Sequence, residues 1–243
     1  MADPAQRPHG NAAPRRIAIG ALALLLSACA ATHNVQQIET LESVGENPKV
    51  LLMPPDIRYY LVTAGGVPEP HAEWTEAARK NFSVAVQGFA EGIGTNLHAL
   101  NDADMTPLEV RYRKLHEAVG LSVMMHHFGT QRLPHKNKTF DWSLGPGVSE
   151  LADEYDADYA LFVFYRDEQA SGGRVALAVI AAAAGGYASA GSEHGFASLV
   201  DLKTGDIVWF NVVGAGSGEL REETGAETAV RTLFKDMPAR QEL

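Results

Sequence analysis

The chain has 243 residues, a single cysteine and a formal charge of −10 at pH 7. One thiol rules out an intrachain disulfide and every multi-cysteine zinc or iron–sulfur pattern. Twenty Lys and Arg against 30 Asp and Glu argue against a nonspecific nucleic-acid binder, and an apolar share of 46% is that of a globular chain.

Residues 1–14 carry no helical or strand period. Arg15 and Arg16 then lead into Ile17–Leu26, ten apolar residues. As a helix these reach only about 15 Å, half of the roughly 30 Å that spans a bilayer. A positive segment, a short apolar segment and a small-residue region are the parts of a secretory signal. Leu26-Ser27-Ala28-Cys29 resembles the bacterial lipobox, which implies cleavage before Cys29 and fatty acylation of its thiol. An ordinary buried cysteine would leave the paired arginines and the polar change after Cys29 unconnected. The hydrophobic pattern after Arg15-Arg16 is not distinctive for twin-arginine export, so general secretion is the expected route. Ala30, rather than an aspartate, follows the cysteine, which by resemblance to the enteric sorting rule implies the outer membrane, facing the periplasm. Removing residues 1–28, which hold three arginines and one aspartate, leaves 215 residues and moves the charge from −10 to −12. Residues 29–48 read as the lipidated N-terminus and a flexible tether.

Residues 49–237 read as one α/β domain, with a mixed sheet and packed helices in two or three layers. Val50–Met53 is a short apolar strand stopped by Pro54-Pro55. Ile57–Thr63 is a second strand, and Gly65-Gly66 with Pro68–Pro70 makes a loop. Trp74, Ala78, Phe82, Ala85, Phe89 and Ile93 recur every three or four residues and predict a helix over 71–93. Thr106, Pro107 and Glu109 form a capping box ahead of a helix carrying Leu108, Tyr112, Leu115 and Val119 to about Phe128, with Gly120 as a point of interruption. Residues 129–148 read as a surface loop in which Phe140, Trp142 and Leu144 alternate as in a short strand. Ser149 is the expected cap of a helix through Tyr155, and Tyr159–Tyr165 a strand at the centre of the sheet. Arg174–Tyr187 is apolar but too short to cross a membrane, and fits a buried strand, a packed helix or an apolar hairpin. Phe196–Val213 is a hairpin turning over residues 203–206, with Gly205 in the left-handed conformation. Thr224 and Glu227 suggest another capping box for a terminal helix ended by Pro238, and 238–243 is a tail.

No catalytic or metal-binding constellation stands out among the nine histidines and many carboxylates. His126 and His127 are adjacent, so on a helix they point about 100 degrees apart. His116-Glu117 lacks a second histidine four positions on, and His194 beside Glu193 is no stronger. Gly191–Gly195 is not a nucleophile elbow. Gly214–Gly218 lacks the Lys-Ser/Thr of a phosphate loop, and Glu219, Glu222 and Glu223 would repel phosphate, so it reads as a mobile loop. Asp104, Glu109, Asp153, Glu154, Asp156 and Asp158 read as solvated or capping groups. No cofactor is expected. The candidate contact residues are Cys29 for lipid, and Phe140, Trp142, Val179, Ile180 and Tyr187 for a protein partner.

Three stretches carry a family resemblance: Val50–Pro55, Ala157–Leu161 after a helix, and Ala197–Trp209. They are similar to pieces of a broad set of bacterial envelope lipoproteins, including the curli-secretion-channel family and the periplasmic N-terminal domain of the Tol system's propeller protein. The resemblance spans about residues 48 to 237. It implies an α/β fold and an assembly or accessory role through contact with an envelope protein or with further copies of the chain. The alternatives are an oligomeric secretion-channel subunit and a cell-envelope hydrolase. A channel-forming member would place membrane hairpins at Arg174–Tyr187, yet this stretch is shorter and richer in alanine than alternating barrel strands.

Overall fold

A computed structural model describes residues 32–41, 48–93, 96–136 and 139–239. In chain order these form β1 (His33–Gln36), β2 (Lys49–Leu52), β3 (Asp56–Val62), β4 (Pro68–Pro70), α1 (Ala72–Ile93), β5 (Asn96–Ala99), α2 (Pro107–Val123), α3 (Ser149–Tyr155), β6 (Tyr159–Ala170), α4 (Gly172–Ala183), β7 (Gly191–Asp201), β8 (Ile207–Gly214) and α5 (Glu223–Leu233).

The apolar run that opens β6 lies at the centre of a mixed sheet ordered β1-β8-β7-β6-β2-β5, with β3 and β4 attached at the far end of β6. Antiparallel β7 follows β6 from Tyr159↔Asp201 to Gln169↔Gly191. On the other side β2 pairs with the start of β6 and β3 with its end, both parallel, through Val50↔Tyr159 and Asp56↔Phe164. Pro54 and Pro55 stand between the two strands, where neither has an N–H to give to a ladder.

Alternation along β6 sorts the core into two halves. Tyr159, Leu161, Val163 and Tyr165 join Ala78, Phe82 and Val86 of α1 and Ala226, Ala229, Val230 and Leu233 of α5. Ala160, Phe162 and Phe164 join Tyr112 and Val123 of α2, Leu151 of α3, and Phe140, Trp142 and Leu144. The sheet is thus the middle of three layers.

Five local expectations are corrected. Part of the 29–48 stretch read as a tether is strand β1, antiparallel to β8 from His33↔Val212 to Gln36↔Trp209. Gly120 does not interrupt α2, which runs to Val123 and continues as a π-helical turn over Met124–Phe128. Ser149 is the first helical residue rather than a cap, because the 3₁₀ turn Pro146–Val148 leads directly into α3. Thr224 lies inside α5; extended Glu222 precedes the helix and makes no side-chain cap. Helix α5 ends at Leu233, well before Pro238, where Asn211 Nδ2 donates to the carbonyls of Thr232 and Leu233 at 2.8 Å each. The Thr106 capping box and left-handed Gly205 (φ +84) are present.

Candidate functional site

Cys29 lies outside the described residues. Phe140 and Trp142 are buried, not surface groups. Phe140 packs against Phe210 and the edge of His127, and Lys136 Nζ sits 4.4 Å from the Trp142 ring centroid. The Trp142 carbonyl accepts from Ile207 N–H at 2.9 Å and Leu144 N–H donates to Gly205 at 2.8 Å, so this segment closes one core against the β7–β8 turn. Val179, Ile180 and Tyr187 occupy the opposite kind of site, with 64%, 63% and 90% of their surfaces exposed.

The β6–β7 ladder stops at Gln169↔Gly191, and residues 170–190 between them form an excursion built around α4. Ser171 starts the helix: its Oγ accepts from Arg174 N–H at 3.2 Å, and its own N–H donates to the Val62 carbonyl at 2.9 Å. Arg174 Nε donates to the Ser189 carbonyl at 2.8 Å, tying the two ends of the excursion together. Arg174, Ala178 and Ala181, spaced as one helical face, are half-buried, whereas Val175, Leu177, Val179 and Ile180 are exposed. Left-handed Gly185 and the Gly186 N–H bond to the Ala181 carbonyl end the helix. No residue of α4 is buried.

Below the excursion, β6 turns polar. Arg166, on the α2 side, donates to Asp56 Oδ2 at 2.9 Å, to the Asp56 carbonyl at 2.6 Å and to Glu117 at 3.3 Å, with its guanidinium 3.9 Å from the Phe164 ring centroid. Burial alone would raise the Asp56 carboxyl; the Arg166 bond and charge, with Arg58, hold it below the ordinary range. Asp167, on the opposite face, is 4% exposed and pairs in register with Glu193. Burial, then the charges of Glu193 and Glu219, push it up to about 6 against the opposing bond from Gln169.

The glycine-rich 214–218 loop does cradle an anion, and that anion belongs to the chain. Gly216 N–H at 2.8 Å, Ser217 N–H at 3.2 Å and the Ser217 hydroxyl all donate to the Glu193 carboxylate, which also accepts from Tyr165 Oη at 2.8 Å. Backbone N–H groups in such a loop bind a carboxylate for the reason they bind phosphate. Beside it, Tyr59 Oη donates to Glu219 at 3.2 Å, and Arg221 lies over the Tyr59 and Trp74 rings. Sequence patterns do not announce these groups, beyond the polar Arg166-Asp167-Glu168 run closing an apolar strand.

His116 is fully buried and stacked on Phe162 at 4.8 Å, and burial pushes its pKa down to about 3. His126 meets the Gln131 carbonyl while His127 packs on Phe128 and Phe140, so the adjacent pair diverges. Among the described residues no three His, Cys, Asp or Glu side chains are grouped to hold a metal ion, and no helix is long and apolar enough to cross a membrane. A groove of about 800 Å³ runs along α1 past Arg58, His71, Thr75, Arg79 and Asp102. Asp102 on its wall pairs with both Arg79 and Arg113, at 2.6 and 2.7 Å.

No protein-family model and no curated protein matches the chain. Among solved structures it is remotely similar to the PelC dodecamer from Paraburkholderia phytofirmans, at 12% identity and a TM-score of 0.40, over 87% of this chain and 99% of that one. A second PelC dodecamer, carrying one substitution, gives 12% and 0.39 over the same shares. Lipoprotein GNA1162 from Neisseria meningitidis gives 11% and 0.27, over 68% of this chain and 78% of that one.

Proposed function

We propose that the chain is a bacterial envelope lipoprotein that acts by protein–protein contact, as an assembly or accessory protein. In this reading residues 1–28 are removed, Cys29 carries the acyl chains that hold the protein in the outer membrane, and the α/β domain faces the periplasm. The observation that carries a contact role, with protein or with lipid, is α4. A helix apolar on nearly all sides is ordinarily buried, yet this one has no buried residue and presents Val179 and Ile180 to the surroundings. An apolar surface of this kind marks a place where something outside the chain sits.

An oligomeric secretion-channel subunit is the second reading. It is favoured by the sheet's outer strands, β1 and β5, each paired with one neighbour only among the described residues. Such edges are templates for pairing between copies. The two readings separate by particle mass. The full-length protein, purified from membranes in mild detergent, is measured by light scattering corrected for detergent. A monomer or small complex with a reproducible protein partner supports the accessory role. A uniform assembly of high order supports the channel subunit and makes conductance the next assay. The mass of the N-terminal peptide tests acylation at Cys29 independently.

A further inference from the structure

The apolar excursion and the start of β1 lie toward one end of the sheet. β1 starts at His33, four residues after Cys29, and its pairing fixes which way that start points. His33 is level with Val212 of β8, Val212 with Phe196 of β7, and Phe196 with Phe164 of β6. The chain upstream of His33 therefore leaves toward the same end that β6 approaches as it runs from Phe164 to Ala170. Four residues reach at most about 14 Å. Six residues of β6 rise about 20 Å before sheet twist shortens the shared direction. The two lengths are of one order, so a bilayer holding acyl chains on Cys29 would meet the end of the fold that carries α4.

We propose that α4 is a second membrane contact, its exposed face lying in the headgroup–acyl boundary of the leaflet that holds Cys29. The inference rests on the acylation reading. Twelve residues make a helix of about 18 Å, suited to lying in one leaflet and too short to span two. Val175, Leu177, Val179 and Ile180 supply apolar surface, and Tyr187 is the residue type that settles at a membrane–water boundary. Arg174 is the one charged side chain in residues 171–190, and its place on the half-buried face with a bond to Ser189 keeps it out of the apolar side. Two carboxylates at the ends of the strands that flank the excursion are engaged by the protein, Glu168 by Ser192 and Glu193 by the glycine-rich loop.

The test uses the full-length mature lipoprotein, reconstituted in vesicles of phosphatidylethanolamine and phosphatidylglycerol with part of the lipid brominated in its acyl chains. Cys29 is the only native cysteine. Once acylated, it leaves Val179→Cys, Ile180→Cys or Val84→Cys as the single site for an environment-sensitive fluorophore. All three positions are exposed, so folding is retained. The expected result is loss of most emission to brominated lipid at positions 179 and 180, with position 84 on α1 unaffected. Insertion of charge by Val179→Asp with Ile180→Asp abolishes that quenching for a fluorophore at Tyr187→Cys while the acyl chains keep the protein on the vesicles. A fluorophore at 179 that is quenched by aqueous iodide and untouched by brominated lipid overturns the proposal. One shielded from both also overturns it and assigns α4 to contact with another copy. An N-terminal peptide without the acyl mass overturns the anchor reading instead, a result distinguishable from either.

Discussion

Gly120 of α2 lies directly over the ring of Phe196 on β7: a Cβ at this position would fall 2.0 Å from Cε2 and 2.3 Å from Cζ. The residue that reads in sequence as a helix interruption is what lets the helix approach the sheet so closely. Gly120→Ala gains helix propensity but forces the ring or the helix to move. We expect a net loss of about 1–3 kcal/mol, read as a lower urea midpoint with an unchanged far-ultraviolet circular dichroism spectrum.

Arg166→Met removes the main partner of buried Asp56 and leaves a carboxylate whose remaining ion pair is with Arg58, at 3.1 Å. Breaking a buried pair from one side costs on the order of 3–5 kcal/mol, and the remaining Arg58 puts the expected loss toward the lower end. Adding Asp56→Asn to Arg166→Met removes the stranded charge. The double variant should be more stable than Arg166→Met alone, a difference that chemical denaturation of both proteins measures.

Asp167 and His116 give the stability curve opposite slopes in mild acid. Asp167 titrates near 6 when folded and at its ordinary 3.8 when unfolded. Its buried charge therefore costs stability above pH 6, and the cost is relieved as pH falls toward 4. Asp167→Asn should stabilise the protein at pH 7.5, by up to about 3 kcal/mol, and have little effect at pH 4.

His116 behaves in the reverse sense. Its folded value is about 3 and its ordinary value 6.5, so the unfolded chain takes up the proton first as pH falls. Stability is lost progressively below pH 6.5. His116→Leu removes this slope. Its advantage over the native protein should grow by about 2 kcal/mol between pH 7.5 and pH 5, measured by denaturation at each pH.

Thr106→Ala should cost about 1 kcal/mol, whereas Thr224→Ala should change the thermal midpoint little. The two positions share a sequence pattern, threonine followed three residues later by glutamate, and differ in backbone. At 106 the following proline holds the threonine extended, and its hydroxyl accepts from Leu108 N–H at 3.3 Å. At 224 the chain is already helical, and the Thr224 carbonyl accepts the Thr228 hydroxyl at 3.1 Å.

That contrast shows what was legible in the sequence. Patterns enforced by local sterics, such as Thr106-Pro107, the Pro54-Pro55 break and the Gly205 turn, survive in the fold. The three-layer sorting of Tyr159–Tyr165 was legible as a central strand because both faces are apolar. What depends on distant neighbours was not. β1 is mostly polar and becomes a strand only because β8 offers an unpaired edge. The Arg166–Asp56 pair joins residues 110 positions apart, and nothing local at either announces the other. Phe140 and Trp142 sit in a stretch rich in loop formers, so their apolar alternation reads as a contact surface, whereas in the fold it is the lid of a core. The α4 stretch defeats periodicity for a different reason: apolar residues fill nearly every turn, leaving no polar face to mark its period.

The first strand of the sheet is held by the last. β1 lies on β8, Asn34 Nδ2 donates to Asp236 at 2.7 Å, and Leu41 N–H reaches the Ala239 carbonyl at 3.1 Å. For a chain made amino end first, the consequence is one of timing. Residues 33–36 are made well before the strand that will receive them, so the sheet cannot be sealed until nearly all of the polypeptide is available.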